Sequence, residues 1–171
     1  MMQAKNKFKT AARTAHSSPD SSAGGRRTQV RESGIHGKGV YAIRPIKIGD
    51  TVLEYKGEII TWRKALARHP HDVNQPNHTF YFHLDDGHVI DAKHQGNSAK
   101  WINHACEPNL EAKQDGYRVF VKALRDIDVG EELFFDYGLI IDARLTPKLK
   151  KEYACLCGAR SCRGTMLACK R

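Results

Sequence analysis

The stretch WINHACEPNL, residues 101–110, places a histidine and a cysteine two positions apart, flanked by two asparagines and a proline. Cys106 in this pattern could be a nucleophile activated by His104, a metal ligand, or a small apolar residue in a tight turn. A nucleophilic pair needs an imidazole nitrogen directed at the sulfur and is normally assembled from distant segments. A spacing of two residues does not establish that contact, so the nucleophile is the weakest of the three interpretations.

The remaining cysteines favour a metal site. CLCGARSCRG, residues 155–164, forms a C-x-C-x4-C array, whose short loops can close around a tetrahedral ion. Three thiolates are one short of a closed structural zinc site, which leaves Cys106 and Cys169 to be considered. The N-terminal lysines precede no apolar segment, so we expect no secretory signal and no disulfide framework. Reduced, unliganded thiols are the alternative to zinc.

The basic charge of the chain lies at its two ends. Of 171 residues, 28 are lysine or arginine and 19 are aspartate or glutamate, a net charge of +9. Residues 1–29 and 144–171 carry the basic excess, and the region between them is slightly acidic. Basic ends can attract nucleic acid and an acidic centre can attract a cationic substrate; solvated tails are the plainer alternative. No apolar run approaches the roughly 18 residues that cross a membrane.

The sequence divides into four parts. Residues 1–27 are rich in serine, glycine and basic side chains and lack apolar periodicity, which predicts a disordered tail. Residues 28–141 alternate short apolar runs with turns that contain glycine or proline, as strands do. Residues 142–153 predict a helical linker, and residues 154–171 hold the cysteine array. The expected fold is mostly β, with small antiparallel sheets and few short helices.

Local signals place several elements. Thr61 and Thr146 are the expected N-caps of two short helices, the second with Pro147 at its first helical position. Asp86–Gly87 predicts a hairpin turn between two runs rich in aromatic and β-branched residues. Gly130 predicts another turn before a short C-terminal strand.

Four motifs occur in the order and at approximately the spacing of SET-domain protein-lysine methyltransferases with a C-terminal post-SET segment. The resemblance spans about residues 28–166. It implies a SET fold with a knot-like threading at the active site and a zinc-bound post-SET tail. It also implies methyl transfer from S-adenosylmethionine to lysine ε-amines of protein substrates, with histones as the family expectation. The motifs are HGKGVYA (36–42), NSAKWINHACEPN (97–109), GEELFFDYG (130–138) and CLCGARSCRG (155–164).

The resemblance also implies site roles. Asn103 and His104 match the pair that contacts the adenine of the cofactor, and the backbone near Leu156 is expected beside it. Tyr137 matches the tyrosine that aligns the reacting atoms, and Phe135 matches the position that governs how many methyl groups fit. A phenylalanine there leaves room for di- or trimethylation. The loop expected to wrap S-adenosylmethionine comprises His36, Gly37, Lys38 and Gly39, and the other expected walls of the lysine channel are Tyr55 and Phe82.

In relatives of this kind the post-SET cysteines share one zinc ion with the cysteine of the asparagine-histidine motif. The implied ligands are Cys106, Cys155, Cys157 and Cys162, and Cys169 falls outside the array. The chain departs from the family pattern at Phe80, where many relatives have tyrosine. It also departs at Ala105, where serine is common, at Lys100–Trp101, and in having no cysteine-rich pre-SET segment.

Alternatives to the enzyme are a catalytically weak, zinc-stapled adaptor that binds chromatin or nucleic acid through its basic ends, and a purely structural zinc protein. The substrate of the enzyme is expected to be a histone tail or another basic protein. The chain's own tail, with Lys5, Lys7 and Lys9, is a candidate for automethylation. The expected location is intracellular: at chromatin in a eukaryotic or host nucleus, or otherwise in a bacterial cytoplasm.

Overall fold

A computed structural model describes residues 4–6, 25–68, 80–141 and 144–168. Within these ranges the chain is mostly β, as the sequence predicts. The helices are α1 (Trp62–Arg68) and α2 (Pro147–Glu152), with a 3-10 helix at Ser98–Trp101. The strands are β1 (Ala4–Asn6), β2 (Thr28–Glu32), β3 (Lys38–Ala42), β4 (Thr51–Glu54), β5 (Glu58–Thr61), β6 (Tyr81–His83), β7 (His88–Asp91), β8 (Asn103–His104), β9 (Leu110–Asp115), β10 (Arg118–Ala123), β11 (Phe134–Phe135) and β12 (Leu139–Ile141).

The strands form four small sheets. One sheet has five strands in the order β4-β10-β9-β11-β8, and another has three in the order β5-β7-β6. The pairs β2-β3 and β1-β12 form two-stranded sheets. All pairings are antiparallel except those of β11, which runs parallel to both β8 and β9.

The exception at β11 defines the threading of the chain. β8 and β9 are consecutive in sequence and joined by residues 105–109, yet β11 lies between them in the sheet. The link crosses from one side of β11 to the other without reversing the chain, so all three strands run in one direction. This insertion is the knot-like threading that the family resemblance implies. It places the sequences NHAC and FFDY side by side, with Phe134 opposite Asn103 and Phe135 opposite His104.

The main core lies between these sheets. Alternate residues of β10 point inward, so Val119, Val121 and Ala123 are buried. Burial of each valine contributes roughly 1.5–3 kcal/mol relative to an exposed side chain. The same cluster includes Tyr55, Phe82 and Phe135. Three expected walls of the lysine channel are therefore held by core packing.

The predicted helix starts and turns are confirmed. Lys64 donates its backbone N–H to Thr61 Oγ1 over 3.3 Å at the start of α1. Leu149 donates to Thr146 Oγ1 over 3.1 Å at the start of α2, with Pro147 at its first position. The turns of the predicted hairpin and before β11 contain Gly87 and Gly130, whose positive φ angles of 86° and 93° suit glycine.

Some predictions fall on residues that the structure does not describe. Most of the tail over residues 1–27 lies outside the described ranges; within it, β1 pairs with β12. Cys169 also lies outside the described ranges. Among the described residues, no helix combines the length and the apolar character that crossing a membrane requires.

Candidate active site

Tyr137 lies at the junction of the two threaded motifs. Its hydroxyl donates a hydrogen bond to the carbonyl oxygen of Ile102 over 2.9 Å, and its backbone N–H donates to His104 Nδ1 over 3.1 Å. Burial raises the pKa of the Tyr137 phenol above its ordinary value. The hydroxyl therefore stays protonated at neutral pH and acts as a positioned donor, not as a base.

An aromatic row runs from Tyr137 into the core. Ring centroids are 5.0 Å apart between Tyr137 and Phe135, 6.4 Å between Phe135 and Phe82, and 5.3 Å between Phe82 and Tyr55. Tyr55 donates its hydroxyl to the Phe80 carbonyl over 3.3 Å, and burial raises the pKa of its phenol. The four aromatic residues predicted to line the lysine channel thus come from three separate segments, since Phe135 and Tyr137 lie two positions apart, and they form one contiguous row.

Three departures from the family pattern, Phe80, Lys100 and Trp101, lie together. The Phe80 ring packs edge-on against Trp101, with centroids 5.0 Å apart. The ammonium of Lys100 lies 5.6 Å from the Phe80 ring and 5.2 Å from the Trp101 ring. Phe80 therefore contributes its backbone carbonyl to Tyr55 and its ring to a cation–π cluster.

The loop at residues 36–39 is open to solvent on one side. Gly37 has a φ of 50°, and a Cβ placed there would meet no described atom within 4 Å. Ser33 donates its backbone N–H to the Gly37 carbonyl over 2.8 Å, which closes the turn. His36 and Lys38 are both exposed. Two basic side chains and an uncovered backbone are features that suit an anionic or polar ligand group.

Asn103 connects this loop to the threaded strands. Its Nδ2 donates to the carbonyls of His36 and Lys38 over 3.3 and 3.0 Å, and to Glu132 Oε1 over 3.0 Å. Its Oδ1 accepts from no described residue, so it is free for an N–H of a ligand. The same amide can thus hold the loop and contact a cofactor.

The hydrogen bonds of His104 fix its tautomer. The side chain is 3% exposed, and burial lowers its pKa to about 4, so the imidazole is neutral at physiological pH. Because Nδ1 accepts the Tyr137 N–H, the proton resides on Nε2, which lies 3.5 Å from Cys106 Sγ. Nε2 donates toward the sulfur and cannot take a proton from it. The imidazole is therefore engaged within the protein at both nitrogens.

This geometry also argues against a nucleophilic Cys106. A nucleophilic cysteine needs a histidine nitrogen with a free lone pair, and His104 offers it none. Cys106 Sγ instead lies 3.7 Å from Cys155 Sγ and 3.9 Å from Cys162 Sγ. The sulfur atoms of Cys106, Cys155, Cys157 and Cys162 all lie within 4.8 Å of one another.

The surroundings of the four sulfur atoms suit thiolates. Each sulfur accepts at least one backbone N–H: Arg163 N lies 3.4 Å from Cys106 Sγ, and Gly164 N lies 3.4 Å from Cys162 Sγ. The other two contacts are Cys157 N to Cys155 Sγ over 3.4 Å and Cys106 N to Cys157 Sγ over 3.5 Å. Burial raises the pKa of Cys106 and Cys155, while backbone donors outweigh burial at Cys157 and lower its pKa to about 7. Four convergent cysteines with N–H support fit a closed tetrahedral zinc site.

Arg163 connects the cysteine segment to Asp136, the residue that precedes Tyr137. Its guanidinium donates two hydrogen bonds to the Asp136 carboxylate, over 2.8 and 2.7 Å. Burial opposes ionisation of Asp136, but the bonds from Arg163 hold its pKa below the ordinary value. A second link joins Ser161 N to the carboxylate of Glu107 over 3.0 Å. Leu156 is 68% exposed, so an apolar side chain of this segment remains uncovered near the site.

Sequence reasoning missed Glu132. Its carboxylate accepts hydrogen bonds from Tyr41 over 2.8 Å, from Ser33 over 3.1 Å and from Asn103 over 3.0 Å. It also occupies the space that a Cβ of Gly39 would need. Gly39 is therefore required by a contact inside the protein. Its place in GEELFFDYG, the motif that also holds Tyr137, was the available signal.

We expect Gly39→Ala to destabilise the protein by about 1–3 kcal/mol, because the new methyl displaces the Glu132 carboxylate from its three donors. Thermal unfolding measures this loss. Gly34→Ala is the matched control, since a Cβ there meets nothing within 4 Å and the backbone has no positive φ. Equal melting temperatures for both variants would contradict the proposed packing of Glu132 on Gly39.

Comparisons with known proteins agree with this geometry. The model of the SET domain family matches residues 37–138. The histone-lysine N-methyltransferase set1 of Dictyostelium discoideum is 35% identical over 82% of this chain and 9% of its own length. The H3 lysine-4 specific histone-lysine N-methyltransferase of Kluyveromyces lactis is 39% identical over 77% of this chain and 13% of its own length. The chain thus spans a small part of the curated relatives that it matches.

Solved structures give the same result. A polycomb repressive complex 2 structure, ctPRC2 in complex with H3K27me3 and H3K27M, superposes with a TM-score of 0.62 and 32% identity. The superposition covers 67% of this chain and 15% of the ctPRC2 chain. The structure of ctPRC2 in an autoinhibited conformation bound to S-adenosylmethionine gives a TM-score of 0.61 and 31% identity, over 67% of this chain and 15% of that chain. The family model, these similarities and the threaded aromatic site lead to one conclusion: the chain belongs to the SET domain family.

Proposed function

We propose that the chain transfers methyl groups from S-adenosylmethionine to lysine ε-amines of protein substrates. The observation that carries the proposal is the aromatic row that ends at the Tyr137 hydroxyl, beside the junction of the two threaded motifs. Relatives named as histone-lysine N-methyltransferases support the reaction class. The chain brings together a buried row of aromatic rings and an exposed, polar loop at residues 36–39, which are the two surroundings that this reaction needs.

The acceptor amine must be neutral before it reacts. With an ordinary lysine pKa of about 10.4, fewer than about one lysine in a thousand is neutral at pH 7. The row of Tyr55, Phe82 and Phe135 offers an apolar surrounding that disfavours the ammonium and favours release of its proton to solvent. Aromatic faces also retain methylated ammonium products through cation–π attraction.

The described residues offer no strong base for this proton. The phenols of Tyr55 and Tyr137 have raised pKa values, and His104 uses both imidazole nitrogens within the protein. Catalysis therefore rests on positioning and exclusion of water, which can supply much of the rate of a displacement reaction. Tyr137 contributes a fixed hydroxyl oxygen whose remaining lone pairs can orient the reacting groups.

The cofactor site we propose comprises the 36–39 loop, Asn103, the backbone of His104, Tyr137 and Leu156. When bound, S-adenosylmethionine supplies an electrophilic methyl group on a sulfonium centre. Lys38 and His36 can pair with a carboxylate, and Asn103 Oδ1 can accept from an amine. Leu156 can cover the ligand from the cysteine segment.

We also propose that the four clustered cysteines hold one structural zinc ion. Its role is to fix the cysteine segment against the active site, because Cys106 belongs to the threaded motif and the other three ligands follow α2. The corresponding organisation is a SET domain at residues 28–141, a helical linker at 142–153 and a post-SET zinc segment at 154–171.

The proposed product range depends on Phe135. This side chain is 4% exposed and lies between Phe82 and Tyr137, so an added hydroxyl would narrow the passage and introduce a polar partner for the amine. We expect Phe135→Tyr to shift products from di- and trimethyl-lysine toward monomethyl-lysine, by about tenfold in product ratio if the change costs about 1.4 kcal/mol. Mass spectrometry of a methylated peptide measures the ratio.

Phe134→Tyr is the matched control, because the neighbouring residue of β11 points to the opposite face of the strand. An unchanged product ratio in Phe135→Tyr would place the determinant of methyl number elsewhere.

Histones are the proposed substrates, at chromatin in a eukaryotic or host nucleus. The relatives are named histone-lysine N-methyltransferases, and the slightly acidic central region suits a cationic histone tail.

The second candidate function is that of an adaptor that binds nucleic acid through the basic ends. Incubation of the chain with labelled S-adenosylmethionine and core histones tests the proposal directly. Label on lysine supports the enzyme; no label together with salt-sensitive DNA binding would overturn it in favour of the adaptor.

A further inference from the structure

We propose that the chain's own N-terminal strand β1 occupies the position of an acceptor peptide, and that Lys5 is methylated in cis. This inference rests on the proposed methyltransferase function and identifies one substrate of that activity.

The first observation is the pairing of β1. It runs antiparallel to β12, with Ala4 opposite Ile141, Lys5 opposite Ile140 and Asn6 opposite Leu139. A short segment far from the domain in sequence thus adds to a strand of the domain, which is the way many extended peptides bind. Lys5 is the central residue of β1.

The second observation is the location of β1 relative to the aromatic row. β12 begins at Leu139, two residues after Tyr137. β1 also approaches β6, with Cα atoms of the two strands within 8 Å. β6 is the outer strand of its three-stranded sheet and carries Phe82. β1 therefore lies close to two strands of the site, one that follows Tyr137 and one that carries Phe82.

The third observation is the register. Leu139 and Ile141 pack with the cluster that contains Leu149 and Leu167. Residues opposite one another in an antiparallel pair belong to the same face of the sheet. Ala4 and Asn6 pair in register with Ile141 and Leu139 of that cluster, whereas Lys5 pairs with Ile140, which is not among its residues.

The chemistry requires no further reactant beyond the sulfonium methyl donor. Neutral Lys5, after losing a proton to solvent, uses its nitrogen lone pair to form an N–CH3 bond. The S–CH3 bond of the donor breaks with its electron pair left on sulfur, which departs as a neutral thioether. The tether supplies an effective concentration in the millimolar range, so even a weak strand contact competes with free peptides.

Methylation is tested with the full chain, S-adenosylmethionine and a free histone H3 peptide, followed by mass spectrometry of both the tail and the peptide. We expect methyl groups on Lys5 at a rate independent of protein concentration, and none at that site in Lys5→Arg. Lys9→Arg is the matched control and should retain the modification of Lys5. A methylated peptide with an unmodified tail would overturn the inference and leave the proposed function intact. No methyl group on either would overturn the proposed function and the cis methylation with it.

The strand placement is tested without catalysis, by amide hydrogen exchange in the absence of donor. Lys5→Pro removes a backbone N–H and disfavours β1, so exchange at residues 139–141 should become about tenfold faster or more. Lys9→Pro is the control outside β1 and should leave that exchange unchanged. Equal exchange in wild type and Lys5→Pro would overturn the placement of β1 against β12.

Discussion

Replacing Tyr137 with phenylalanine is expected to lower kcat for methyl transfer about 10²-fold or more, since small misplacements of reacting groups carry penalties of that size. The substitution removes one oxygen atom and leaves the ring, whose packing against Phe135 and His104 is retained. What is lost is the hydroxyl that donates to the Ile102 carbonyl over 2.9 Å. That carbonyl belongs to a residue that is 1% exposed, so it loses a partner that solvent replaces poorly.

A loss of stability must be separated from the loss of rate. Removing one partner of a buried hydrogen bond costs about 1–3 kcal/mol, which lowers Tm by several degrees in a chain of this size. Rates should therefore be measured well below the Tm of the variant, with saturating peptide and cofactor. Tyr117→Phe serves as the control, because Tyr117 is an exposed tyrosine in the β9–β10 hairpin. Wild-type kcat in Tyr137→Phe would exclude the hydroxyl from alignment of the reacting groups.

Much of this arrangement follows from short-range sequence signals. The hydroxyls of Thr61 and Thr146 cap helices that begin one residue later, and Asp86–Gly87 closes the predicted hairpin. These signals act within a few residues, so they can be recognised without knowing the fold. The four motifs then identify the family, because each joins residue types that rarely occur together by chance.

The connections between motifs could not be derived in this way. The contacts of Glu132 with Ser33 and Asn103 join residues 99 and 29 positions apart in the chain. The pairing of Arg163 with Asp136 and the parallel insertion of β11 are likewise set by tertiary packing. The sequence pattern around a carboxylate or a guanidinium does not indicate which residue it will pair with. The partner can be identified only once the arrangement of the strands is known. β1 is the extreme case, since its composition predicts disorder and its pairing depends on a strand at the opposite end of the domain.

Replacing Cys106 with serine is expected to remove zinc and activity together. The loss of an outer-shell partner of a metal site typically weakens binding about 10- to 100-fold, so the loss of a direct ligand should exceed about 100-fold. Cys106 also differs from the other three ligands in its position. Cys155, Cys157 and Cys162 lie within one short segment, whereas Cys106 is the ligand contributed by the threaded motif. Without it a partly ligated ion could remain on the segment but would no longer join the segment to the domain.

The consequence for activity follows from Arg163, which is adjacent to Cys162 and holds Asp136 beside Tyr137 through two hydrogen bonds. Release of the segment withdraws that guanidinium and exposes the site to water. We therefore expect Cys106→Ser to show substoichiometric zinc by elemental analysis, faster proteolysis within residues 144–168, and at least a tenfold fall in methyl transfer, the lower end of the effect for disturbing a metal site. Cys169→Ser is the matched control, because the fifth cysteine falls outside the C-x-C-x4-C array. Full zinc content in Cys106→Ser would remove Cys106 from the ligand set, and loss of zinc with full activity would show that the ion does not hold the active site together.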